Sequence, residues 1–309
     1  MTKKYKNKLK NPIPQVEMVK EPEKKSVSKI NFLPYAILFI LSLLLYGNTL
    51  KNDYVLDDVV VITQNEFTKK GFAGISEIFS YDTFTGYLGK QKKLVAGGRY
   101  RPLSVATFAV EYQFFGKMPW FSHVINLLLY AGIVLLLYKI FDNLFRQRFM
   151  ATYKWYLSPA FFVALLYLFH PIHTEAVANI KGRDELMTFL GALIAMWYSI
   201  KYVETKNLLN LVYIFIAFFL GLLSKENTIT FLAIIPLTLY FFTQSKLKQI
   251  LIALAPALLA SVVFLIIRQT IIGGFSDGTT DNLINNAFAE ANTSQRYGTV
   301  FYTFLVYLK

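Results

Sequence analysis

MPWFSHVINLLLYAGIVLLLY, residues 118–138, runs for 21 residues without an Asp, Glu, Lys or Arg. A helix needs about 20 mostly apolar residues to cross roughly 30 Å of hydrocarbon, so this stretch reads as a membrane span. Charge-free windows of the same kind lie on both sides of it, at 30–50, 155–174, 186–200, 207–224, 227–245 and 249–267. The short window 186–200 is extended by Lys201, whose apolar stem can follow the span while its ammonium reaches the headgroups. A last window, 297–308, has 12 residues, about 18 Å of helix, and cannot cross. The expected fold is an all-α polytopic membrane protein with seven complete transmembrane helices and a truncated eighth. On that reading the chain is a fragment, inactive alone, of a protein that continues past Lys309 with further spans and helical repeats.

Composition agrees. The 309 residues are 55% hydrophobic, 17% aromatic and 17% charged, against about 45–50% apolar and about 25% charged in soluble globular chains. The absence of cysteine excludes a disulfide-stapled secreted domain and a Cys-ligated zinc module. The apolar content excludes an intrinsically disordered chain. The net charge of +13 comes from 32 basic and 19 acidic residues, and nine lysines against three glutamates precede Ile30. Residues 1–29 are therefore expected to be a disordered basic tail on the cytoplasmic side, ahead of a membrane domain at 30–309. Lys and Arg in the short loops set orientation. They place 139–154, 201–206 and 246–248 inside, and 175–185 and 268–296 outside. The long segment 51–117 becomes the first outer loop. Within it Phe72, Ile75, Ile78 and Phe79 recur at helical spacing, and a second helix is expected from Pro102 to Phe115. Both read as amphipathic helices on the outer membrane surface, with a flexible basic turn at 90–98 between them.

Several polar residues need another explanation. Asp57 and Asp58 adjoin in NDYVLDDVV, just beyond the first span. They are either a solvated turn or a carboxylate pair, one accepting a proton while the other orients an acceptor or metal. The third window runs into HPIHTEAVANIKGRDE, residues 170–185. His170 and His173 can share a helical face, followed by Glu175, Lys181, Arg183 and Asp184. Ionisable groups at this depth commonly line a cavity. A helix cap and a metal site remain alternatives, although two histidines without a third ligand make a poor zinc site. Lys225 and Glu226 form the outer hairpin between the fifth and sixth windows, either a neutral turn or a cation set to meet a lipid phosphate. Arg99, Arg101 and Arg268 offer further phosphate-pairing groups. The topology puts all of them on the outer face.

Asp57-Asp58, RYRPL at 99–103, FSHVIN at 121–126, HPIHTEAV at 170–177 with GRD at 182–184, and Lys225-Glu226 together resemble the transmembrane and tetratricopeptide-repeat O-mannosyltransferases and their bacterial relatives. The resemblance runs from about Asp53 to the C-terminus. One departure is Tyr130, where relatives often carry a helix-borne His. The resemblance implies the GT-C fold and a glycosyltransferase using a polyprenyl-phosphate-linked sugar, mannose or a similar hexose. Transfer would be inverting, to Ser and Thr hydroxyls of acceptor proteins on the non-cytoplasmic side. Asp57 or Asp58 would be the catalytic base. Arg99, Arg101, His170, His173, Glu175, Arg183, Lys225, Glu226 and Arg268 would form the substrate and lipid-phosphate site. No tightly bound cofactor and no nucleic-acid partner are implied; a divalent metal is left open. The bacterial inner membrane is the expected location, ahead of the endoplasmic reticulum. Two other classes fit the residues less well. A secondary transporter would place its charges near the midplane; the other is a non-enzymatic scaffold for the repeats.

Overall fold

The computed structural model describes residues 31–90, 98–149, 154–273, 288 and 290–308. The expected tail 1–29 and most of the basic turn 90–98 lie outside the described residues. The chain divides into Met1–Phe32 and Leu33–Lys309, and everything below concerns the second unit. Every regular element among the described residues is helical. In chain order these are α1 (Leu33–Tyr46), α2 (Glu66–Lys69), α3 (Ile75–Ser80), α4 (Thr85–Leu88), α5 (Pro102–Phe115), α6 (Pro119–Phe149) and α7 (Pro159–Phe169). They continue with α8 (Thr174–Ala178), α9 (Arg183–Thr205), α10 (Leu209–Ser224), α11 (Phe231–Phe242), α12 (Leu247–Ile272) and α13 (Thr293–Leu308).

Local chemistry sets the helix ends. Proline occupies the first position of α5, α6 and α7, where its missing N–H costs nothing. Arg146 and Arg148 lie in the last turn of α6, and Asp184 and Glu185 in the first turn of α9, each on the favourable pole of the helix dipole. α9 and α10 pack backbone to backbone. A Cβ on Gly191 would stand 2.8 Å from the Ala217 carbonyl oxygen, so only glycine permits that approach. The bundle core runs through Leu38, Tyr130, Ile133, Ile140, Leu168, Leu193, Ile200, Phe218 and Phe264.

Helices occupy all seven windows, but fewer are long enough to cross. Four segments have the length and apolar character of a span: Leu33–Lys51, Pro119–Phe149, Ile180–Thr205 and Leu247–Ile272. Pro159–Phe169 with Pro171–Ala178 makes a fifth if the pair, bent by 51°, is one span. α10 and the segment Glu226–Phe242 fall short. The count by length is thus four or five, against the seven expected. Proline explains the break: Pro171 drives His170 out of the α region to φ −71°, ψ 124°, ending α7 at Phe169. α10 holds 16 residues, about 24 Å. α13 covers the last window and begins four residues before it.

The described residues of 51–117 build a second, smaller core, completed by Ile180. The two expected helices are there, as α3 and α5. Their apolar sides face each other: Ile78, Val105, Phe108 and Ala109 bury against Val61, Ile62 and Ile180. That second core takes up apolar surface which the sequence assigned to the membrane.

Candidate active site

The site begins at a tight turn. Val55–Asp58 closes through Asp58 N–H donating to the Val55 carbonyl at 3.0 Å and Val55 N–H donating to Asp58 Oδ2 at 2.9 Å. Leu56 turns the corner with φ +47°, the left-handed region that leucine seldom adopts. This corner separates the two adjacent carboxylates. Asp58 is completely buried, and its Oδ1 accepts the Lys181 backbone N–H at 2.8 Å. Both oxygens are thus held by main-chain amides, although burial still pushes its pKa above the usual carboxylate value. Asp57, at the tip of the turn, is exposed and lines a cavity of about 540 Å³.

Apolar and charged side chains both line the cavity: Tyr130, Ile133, Tyr167, Phe189 and Phe231 on the one hand, Asp57, Glu175, Lys181, Asp184 and Glu185 on the other. His173 also lines it, its ring 4.0 Å from that of Tyr167. Buried Tyr130 donates its hydroxyl to the Leu168 carbonyl at 2.9 Å. A narrower crevice of about 40 Å³ shares Asp57, Lys181 and Asp184 with the cavity and adds Thr83, Phe84, Arg99 and Arg101.

Ion pairs tie the start of α5 to the bundle. Arg101, 6% exposed, donates to Glu226 through Nε at 3.1 Å and Nη2 at 2.8 Å, and to Asp184 through Nη1 at 2.9 Å. Burial alone would lower its pKa, but the bonds and charges of Glu226 and Asp184 outweigh it and raise the value. Arg99, over the Phe84 ring at 5.2 Å, is lowered by burial and by the Arg101 charge. Lys225 is paired with Glu185.

Arg183 is placed differently from the expectation. Its side chain is fully buried, behind the cavity wall. Nε donates to Asn126 Oδ1 at 2.9 Å, Nη1 to Thr107 Oγ1 at 3.1 Å and Nη2 to the Ser122 carbonyl at 3.0 Å. Glu111 balances its charge, and its guanidinium lies over Phe108 at 4.3 Å. Asn126 also donates to the carbonyls of Asn179 and Ile180, both at 3.1 Å. The FSHVIN and GRD strings therefore meet as one structural lattice under the 179–183 turn, not as a phosphate cradle.

Of the expected site residues, the structure brings Asp57, His173 and Glu175 to the cavity and Arg99 and Arg101 to the crevice, with Lys225 and Glu226 as ion-pair partners around them. Besides the fully buried Asp58, which lines neither space, it does not bring three others there. His170 is exposed away from the cavity lining, its Nδ1 accepting from Ile172 N–H at 3.2 Å. Arg268, near the end of α12, donates to the Gly98 carbonyl at 3.4 Å and is not among the lining residues. Arg183 is the third. Lys181 and Asp184, expected from sequence among the ionisable groups at this interface, also line the cavity, and so does Glu185, which sequence did not single out. Among the described residues no three His, Cys, Asp or Glu side chains come together as metal ligands.

A helical membrane protein, among the described residues, with a cavity lined by several carboxylates is the class this architecture defines. The chain is 35% identical over 162 residues to human protein O-mannosyl-transferase TMTC1, covering 52% of this chain and 17% of that protein. It is 32% identical over 219 residues to Xenopus laevis protein O-mannosyl-transferase tmtc2, covering 68% and 24%. Against Caenorhabditis elegans protein O-mannosyl-transferase F38B6.6 it is 30% identical over 194 residues, covering 62% and 26%. No family model and no solved structure matches the chain. The chain is thus a homologue of the protein O-mannosyl-transferases, the family its motifs resemble. It spans about a quarter or less of the length of these relatives. All three are animal proteins and give no support to a bacterial inner membrane.

Proposed function

We propose that this chain carries the catalytic face of a membrane glycosyltransferase of GT-C type. It moves mannose or a similar hexose from a polyprenyl-phosphate carrier to Ser or Thr hydroxyls of proteins on the non-cytoplasmic side. The observation that carries this reading is the turn that sets exposed Asp57 in the lining of the cavity while Asp58 is buried. At about 540 Å³ the cavity lies within the range of small-molecule sites, about 300–1,000 Å³, and can accept a phosphorylated hexose. Its apolar lining suits a lipid carrier and its charged residues the sugar hydroxyls. Asp57 takes the acceptor hydroxyl's proton as that oxygen bonds to the anomeric carbon. The bond from that carbon to the phosphate oxygen breaks, and its electron pair leaves with the lipid phosphate. Asp58 holds the turn and does not touch substrate. Glu226, Asp184 and Arg101 clamp the loop carrying Asp57 against the bundle.

The homologues support the acceptor class, since they are named for mannosyl transfer to protein oxygen. The test is transfer by the full-length protein in membranes, from radiolabelled mannosyl-phosphoryl polyprenol to a Ser/Thr peptide. Label is expected on the peptide with this donor and not with a nucleotide-linked mannose alone. Equal labelling from the nucleotide sugar in membranes stripped of polyprenyl lipid, or none from the lipid donor, would refute it.

A further inference from the structure

The leaving phosphate needs a cation, and three of those suggested by sequence, Arg101, Arg183 and Lys225, are already committed to carboxylates. Arg101 is held by two carboxylates, Arg183 is buried on Glu111, and Lys225 is paired with Glu185. Lys181 differs. It is the single Lys or Arg among the described residues lining the larger cavity, and its side chain keeps 19% exposure. Its Nζ reaches one carboxylate oxygen, Asp184 Oδ2, at 3.3 Å. That is long for a charge-assisted bond, which favours about 2.7–2.9 Å, and Arg101 already occupies the same oxygen at 2.9 Å. The Lys181 ammonium is therefore the cation at the cavity with the least to lose by turning to a ligand. Its main chain is fixed independently of its side chain, because the Lys181 N–H is held by Asp58 Oδ1. One buried carboxylate thus ties the backbone of Lys181 to the turn that displays Asp57, and the two side chains share both cavities.

We infer that Lys181 is the phosphate-binding residue of this site, pairing with the phosphate of a polyprenyl-phosphate donor and holding it after the sugar leaves. The inference rests on the glycosyltransferase reading for its donor, but the binding it claims is measured without turnover. The ammonium neutralises the charge that grows on the departing oxygen, opposite the carboxylate that takes the proton.

The experiment uses the full chain in nanodiscs, with polyprenyl monophosphate as probe, and compares the parent with Lys181→Met and Lys181→Arg. Losing a hydrogen bond to a charged group corresponds to about ten- to a hundredfold in affinity. The Met variant is expected to bind the monophosphate that much more weakly. The Arg variant should recover most of the affinity, and the uncharged polyprenol should bind all three alike. Inorganic phosphate as competitor separates the headgroup's contribution from the tail's. Monophosphate binding by Lys181→Met at the parent's affinity, with its melting temperature unchanged, would overturn the inference. A Met variant that fails to fold leaves the Arg variant and the polyprenol control to decide it: weak monophosphate binding by a folded Arg variant also counts against it. If the parent binds monophosphate through Lys181 but transfers no sugar, the glycosyltransferase reading fails while the site stands. If Lys181→Met binds normally while Asp57→Asn stops transfer, the inference fails and the reading stands.

Discussion

Asp57→Asn is expected to lower sugar transfer by about 10²–10⁴-fold, the loss typical of a general base, while leaving the protein folded and inserted. The side chain is exposed at the tip of the Val55–Asp58 turn, so the isosteric amide removes a proton acceptor without opening a void. The bonds that shape the turn come from Asp58 and the main chain, and neither changes. The measurement is the single-turnover rate at saturating lipid donor, beside a melting curve in detergent. A parental rate in the Asn variant would remove Asp57 from the chemistry. The neighbouring substitution should separate the two carboxylates: Asp58→Asn puts an amide NH₂ against one of two backbone N–H donors, so it should lower the melting temperature as well as the rate.

Arg183→Met should have the largest effect on stability. The guanidinium is fully buried and satisfies Asn126, Thr107, Ser122 and Glu111 together. Removing it strands the Glu111 carboxylate and the Asn126 and Ser122 oxygens in the protein interior. Breaking a buried ion pair from one side costs about 3–5 kcal/mol. Lysine will not rescue the loss, since a single ammonium cannot span the fork of partners that the planar guanidinium reaches. The variant is expected to lose its monodisperse peak in fluorescence-detected size exclusion at temperatures where the parent keeps it. A parental profile for Arg183→Met would contradict the structural role and return this residue to the list of phosphate ligands.

The helices could be read from sequence because the absence of charge over 15 to 20 residues is a signal on the length scale of the bilayer. Their lengths could not be read so directly. The charge-free window at 155–174 contains Pro159 and Pro171, which shorten α7 to 11 residues. The Asp57-Asp58 pair stood out as a pair, yet nothing in adjacent aspartates says which one is buried. That depends on Leu56 adopting a positive φ, and leucine carries no signal for it. Which cation stays free for a ligand could not be read for a related reason. Arg183 and Lys181 are equivalent basic residues at one interface when read along the chain. What separates them is Glu111, Thr107 and Asn126, brought in from 57 to 76 positions away. Residues 51–117 show the same limit: spacing found α3 and α5, but their apolar sides meet each other because Val61, Ile62 and Ile180 complete a core there.

A single carboxylate base, acting in one displacement on a lipid-phosphate sugar, must deliver product of inverted configuration. The anomeric configuration of the mannosyl peptide, read by NMR from the one-bond carbon–hydrogen coupling at the anomeric centre, tests this most directly. The account predicts the configuration opposite to that of the donor. Retention would mean a second displacement and a covalent sugar–enzyme intermediate, which would contradict Asp57 as a base.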